Sequence, residues 1–105
     1  MANTFTVLYR GATPVVSPTS ASTVYTVPAS TTTLITNIVV SNSDTSARTY
    51  AIYLNNIGLA VESTVPARDS VIIDAKQVMV TGNTLRLVAS NAAVSFHVTG
   101  LEITP

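Results

Sequence analysis

The chain has no cysteine and no tryptophan, a single histidine, four glycines, and only five basic and five acidic side chains in 105 residues. Without cysteine there is neither a disulfide framework nor a thiolate metal site. The dispersed glycines leave no Gly-rich loop to cradle a phosphate. His97 would have to serve any catalytic triad alone, and no serine stands in a Gly-x-Ser-x-Gly context. The basic residues Arg10, Arg48, Arg68, Lys76 and Arg86 stand singly and net charge is zero. The concentrated positive charge that holds nucleic acid is therefore missing. No apolar run approaches the roughly 18 residues of a membrane-spanning helix. The start, Met1-Ala2-Asn3-Thr4, shows neither the basic nor the apolar region of a signal peptide. The expectation is a protein made in a cytoplasm, with neither nucleic acid nor membrane as partner and with no cofactor.

What fills the chain instead is Ser and Thr mixed with Val, Ile and Tyr, a composition suited to pleated, half-buried surface. Charged residues are 10%, where an ordinary soluble domain has about a quarter. So few charges protect a lone monomer poorly against association. The surface is expected to be used, by copies of the chain or by a larger assembly. At 105 residues the chain makes one domain with one modest core.

The organising stretch is Thr23 to Asn42, which reads as strand, tight turn and long strand. Tyr25 and Val27 share a face, and Pro28 ends the first run by removing a ladder donor. Leu34, Ile38 and Val40 are expected on one face of the next strand and Ile35 and Val39 on the other. Apolar residues on both faces mark a central strand covered on both sides.

Around it, Phe5, Val7 and Tyr9 alternate with Thr4, Thr6 and Leu8. Residues 11–20 contain Pro14 and Pro18 and lack a period, and residues 1–20 read as an N-terminal arm or edge strand of the domain, with a short pairing segment at Val15-Val16. Tyr50, Ile52 and Leu54 form a strand expected to pair with Thr33–Ser41, Asn55-Asn56-Ile57-Gly58 reads as the turn that follows, and Leu59 to Thr64 as the next short strand. Val71-Ile72-Ile73 reads as buried. Residues 74–80 fit a strand or a helical turn equally. Near the C-terminus the apolar phase passes from Phe96 and Val98 to Leu101 and Ile103, so a bulge is expected at Gly100. About eight short strands without an amphipathic helix predict an all-β fold: a single antiparallel β-sandwich, jelly-roll-like or immunoglobulin-like.

Chemistry is sparsely supported. His97 falls on the face away from Phe96 and Val98, where a histidine is ordinarily a packed or surface residue. Asp44, Glu62, Asp69, Asp74 and Glu102 show no spacing of a two-carboxylate hydrolase or a calcium loop. No catalytic or metal residue is assigned, and no enzyme is expected. Tyr9, Tyr25, Tyr50 and Tyr53 suit core and interface positions, or a sugar-binding surface. The interaction residues assigned are Pro14, Val15, Val16 and Pro18 of the arm, with Tyr53.

Tyr25-Thr26-Val27-Pro28-Ala29, then Thr33, Ile38 and Ser41-Asn42, then Gly82-Asn83-Thr84-Leu85-Arg86, Ser90-Asn91-Ala92 and Gly100-Leu101-Glu102-Ile103 form a pattern over about Thr23 to Thr104. It resembles small virion proteins of tailed phages, familiar from phages of cyanobacteria and marine bacteria. The chain departs from that group in being short around Asn55–Val65. The resemblance implies a capsid decoration or cement protein that clamps capsomers, with the major capsid protein or other virion proteins and itself as partners, and that resides in the virion; the chain is expected to be a homo-oligomer, a trimer. A tail, neck or fibre component and a carbohydrate- or receptor-binding module are the competing readings.

Overall fold

The structure, a computed structural model, describes residues 2–17 and 20–105. Nine strands follow one another: β1 (Ala2–Ala12), β2 (Ser22–Thr26), β3 (Thr32–Asn42), β4 (Arg48–Leu54), β5 (Ile57–Val65), β6 (Asp69–Ile73), β7 (Gln77–Met79), β8 (Thr84–Ala89) and β9 (Val94–Thr104). They form two sheets, ordered β1-β9-β3-β6 with β7 also on β3, and β2-β8-β4-β5. All ladders are antiparallel. The chain changes sheet at every connection except β4–β5 and β6–β7. That alternation is the jelly-roll order and not the immunoglobulin one.

The expected central pair is not a hairpin. β2 and β3 lie in opposite sheets, and β4 pairs with β5 and β8 where β3 was expected. The corner after β3 explains the second difference. Asn42 is 3% exposed, and its Nδ2 donates to the carbonyls of Ser46 (2.9 Å), Val65 (3.3 Å) and Pro66 (3.2 Å). Its Oδ1 accepts from the Asp44 amide at 2.9 Å. The wide turn so held carries the chain across the sandwich instead of folding it back onto β3. At the same corner Asp44 accepts from the Arg48 guanidinium and the Thr45 amide. Arg48 and then that amide hold its carboxyl below the usual range.

On β3 the inner face carries Thr33, Ile35, Ile38, Val40 and Asn42, and Leu34 and Val39 point outward. The expectation had grouped Leu34 with Ile38 and Val40, and Ile35 with Val39 on the other face. The reason is an extra residue, Thr36, between Ile35 (opposite Gly100) and Asn37 (opposite Thr99). One extra residue swaps the phase, so no single alternation spans the strand. β1 does the same at Leu8, which lies between Val7 (opposite Thr99) and Tyr9 (opposite Val98). The bulge expected in β9 at Gly100 thus sits in both of its neighbours, and β9 alternates without a break. Gly100 is required for another reason: a Cβ there would lie 2.7 Å from the Leu34 carbonyl oxygen and 2.9 Å from Leu8 Cδ1. The missing side chain leaves room for Leu8 to turn inward.

Between the sheets, Phe96, Val94, Val98, Ile35, Ile38 and Val40 meet Ile52, Leu85 and Leu87, all at 0% exposure. Tyr50 packs edge-on against Phe96, ring centres 6.4 Å apart. Val71-Ile72-Ile73, expected to be buried, is the edge strand β6, and Ile72 is 70% exposed. Residues 77–79 resolve the ambiguity of their segment as strand β7. Asn55 and Asn56 form the two-residue β4–β5 loop, both in the left-handed region (φ 50° and 66°).

Two outcomes follow from this arrangement. Ile38→Ala should cost about 2–5 kcal/mol in chemical denaturation because the inner face cannot collapse onto the gap, and Leu34→Ala, on the outer face, clearly less. Deleting residues 1–20 should unfold the protein, because it removes β1 from beside β9 and takes Leu8 out of the core. Circular dichroism of the truncated chain checks this.

Candidate assembly surface

The residues assigned to the arm lie against their own sandwich. The Thr13 amide donates to the Val94 carbonyl at 2.9 Å and the Ser17 amide to the Ala89 carbonyl at 3.1 Å. Val16 makes a parallel bridge to Ala89, so the short pairing segment exists and continues the four-stranded sheet beyond β2. Pro14 and Val16 are exposed and Val15 is half-buried. Pro18 lies outside the described residues.

Tyr53 stands elsewhere, on the outer face of the four-stranded sheet, in register with Arg86 of β8 and Gly58 of β5. With Ser20, Ala21 and Asn56 they border a hollow of about 320 Å³. Arg86 donates through Nη2 to the Ala21 carbonyl (2.6 Å) and through Nη1 to Asn56 Oδ1 (3.3 Å). Its Nε is buried without a partner among the described residues. Arg86 thus ties the end of the arm segment to the turn between β4 and β5.

A surface that the sequence reading missed lies on the opposite side. Register places Phe5, Leu101, Leu34 and Val78 in one row across β1, β9, β3 and β7, all facing outward. The next row toward the chain ends holds Asn3, Ile103 and Thr32. On the other side come Val7, Thr99 and Asn37, whose side chains bond to each other where Thr99 Oγ1 donates to Asn37 Oδ1 (2.5 Å). Beyond that stand Arg10, His97, Val39 and Ile72, then Ala12, Ser95, Ser41 and Ser70. Phe5 is 81% exposed, Val78 66%, Val7 46% and Ile72 70%. No carboxylate stands in any of these rows. The apolar half, about four strands at 4.8 Å by about five residues at 3.3 Å, covers roughly 300 Å². That is the size of the largest apolar patch on an ordinary monomer, which is often a functional one. Its signal was present in the sequence as Leu34 and Val39 beside Ile35 and Ile38. Assigning faces required the bulge at Thr36.

At the same end of the sandwich the two sheets are joined by a polar clamp. Tyr25 Oη on β2 donates to Glu102 Oε2 (2.5 Å), and the Thr33 hydroxyl lies 2.7 Å from Tyr25 Oη. With its proton committed to Glu102, the phenol accepts from Thr33. Tyr25 and Glu102, which the sequence reading did not bring together, therefore lie on facing sheets. Burial, then the Glu102 hydrogen bond, pushes the Tyr25 phenol up from 10.0 to about 12, against a small opposing effect of Thr33. His97, on the outer face between Arg10 and Val39, has no carboxylate opposite it in the register. Among the described residues no three His, Cys, Asp or Glu side chains gather as a metal site would need.

The clamp makes a pH prediction. Tyr25 binds its proton more tightly folded than unfolded, so its contribution to stability is complete below about pH 10. It is lost as pH rises from about 10 to 12. Alkaline unfolding followed by circular dichroism should show a steeper loss of stability across that window in the parent than in Tyr25→Phe.

No family model matches the chain, and no curated protein matches it.

Proposed function

We propose that this chain is a structural protein of a tailed-phage particle, of the capsid-decoration kind. In this reading it is present in many copies, associates with itself, and attaches to other proteins of the particle through the outer face of the five-stranded sheet. It works by binding and not by catalysis. The observation that carries the reading is the outward row Phe5, Leu101, Leu34 and Val78: large apolar side chains, in register across four strands, with no carboxylate in the rows around them. Contact there removes apolar area from water, at about 25 cal/mol per Å², and needs no charge pairing. The low charge content and the virion-like motifs agree with it. The hollow at Tyr53, Asn56 and Arg86 favours a second reading, a glycan-binding module, because it combines an aromatic ring with amide and guanidinium donors.

Quantitative gels of purified particles test the first reading. Hundreds of copies per particle are expected. A dozen or fewer would assign the chain to the tail, and absence from the particle would end the proposal. Val78→Glu should leave the melting temperature within a few degrees and reduce decoration at least tenfold. Glycan-array binding by the purified chain, abolished by Tyr53→Ala and Arg86→Met, would favour the second reading.

A further inference from the structure

Each sheet of an open sandwich ends in two strands whose outer backbone groups lack a ladder partner, and proteins usually blunt such edges. Three of the four edges here are blunted. The edge formed by β6 and β7 is broken at Asp74-Ala75-Lys76, where Lys76 is in the left-handed region (φ 45°) and pairs with Asp74 at 3.4 Å. β5 carries two register shifts against β4 and the charged Glu62 in the left-handed region (φ 50°). β2 is five residues long, is bulged at Val24, and is followed by Pro28.

β1 differs from all three. It has 11 residues, no proline, and one charge, Arg10, which lies beyond the bulge at Leu8. From Ala2 to Val7 it keeps unbroken register with β9. No strand of this chain hydrogen-bonds to its far side among the described residues. Along that run Asn3, Thr4, Phe5 and Val7 are exposed.

We propose that two copies of the chain join through this edge, β1 against β1 antiparallel about a two-fold axis near Thr4-Phe5. The proposal rests on the reading that the chain associates with itself, and names where. A second copy is the occupant the edge fits. The run is uncharged, so pairing with itself sets no like charges opposite each other. An antiparallel pair of identical strands is self-complementary and closes as a two-fold contact. An axis at Phe5 overlaps residues 3–7 and one at Thr4 residues 2–6, which supplies about four to six backbone hydrogen bonds. It also makes the two five-stranded sheets one continuous sheet. The row Phe5, Leu101, Leu34 and Val78 then meets its copy across the axis, Phe5 beside Phe5, and the apolar face of the proposed attachment surface doubles in width.

The absence of cysteine makes this directly testable in the full-length chain. Single cysteines at Asn3, Thr4, Phe5, Thr6 and Val7 can form a disulfide only with the same residue of another copy. Facing residues of a strand pair are about 4.5–5.5 Å apart at Cα, within disulfide reach. Under mild oxidation, non-reducing gels should show cross-linking that peaks sharply at one position near Thr4 or Phe5 and falls on both sides. Val61→Cys on β5 and Ile72→Cys on β6 should cross-link at least tenfold less. In parallel, hydrogen exchange of the parent should show amides between Ala2 and Val7 gaining protection as concentration rises.

An oligomer by light scattering whose β1 cysteines do not cross-link, cross-link uniformly, or cross-link less than Val61→Cys or Ile72→Cys overturns the β1 contact while leaving self-association intact. A three-fold assembly without β1 cross-linking does the same, as does β1 protection that arises only on binding a different protein. A mass near 11 kDa at every concentration overturns self-association itself, and the β1 contact with it.

Discussion

The five-stranded sheet depends on a position with no side chain. Gly100 sits on the inner face of β9, against the Leu34 carbonyl and the tip of Leu8, too close for any Cβ. At that level both neighbours of β9 take in an extra residue, Leu8 on β1 and Thr36 on β3. The two bulges reset which side chains face the core. They turn Leu8, Tyr9 and Ile38 inward and leave Phe5, Val7, Leu34 and Val39 outside. The core and the outward apolar surface therefore follow from the same local constraint.

The sandwich is also uneven from face to face. The four-stranded sheet shows water a polar row, Thr23, Arg86 and Tyr53, and carries the segment from Thr13 to Ser17 along the end of β8. The five-stranded sheet shows rows whose apolar half is grouped at the end where Tyr25, Thr33 and Glu102 clamp the layers together. Uncompensated apolar area beside a rigid polar clamp suits a contact surface. The clamp ties the two sheets together at that end. The length of β1, β3 and β9 gives the face its extent of 11 residues along each of these strands.

Composition and short-range pattern were enough to read an all-β sandwich, because alternation, β-branched residues and turn dipeptides act within a few residues. Asn55-Asn56 was readable as a tight turn for that reason, since two left-handed residues in sequence favour Asn. Alternation also placed His97 outside. The assignment of Leu34 and Ile35 to faces failed, because a bulge is decided by the neighbouring strand and leaves no local mark. Pairing failed at β4 for a similar reason. The corner is set by Asn42 reaching carbonyls at Ser46, Val65 and Pro66, two of them more than twenty residues away.

What the sequence determined by itself is therefore local and compositional: strand-forming segments, their turns, a surface poor in charge, and a residue set lacking thiolates and clustered histidines. Tertiary structure alone decided which sheet each strand joined and which face each side chain took. It also brought Tyr25 to Glu102 across 77 positions, and left the Ala2–Val7 run of β1 as an edge without a bulge, a proline or a charge. Those outcomes depend on backbone hydrogen bonds and close contacts between residues far apart in the chain. Periodicity along one strand carries no information about them.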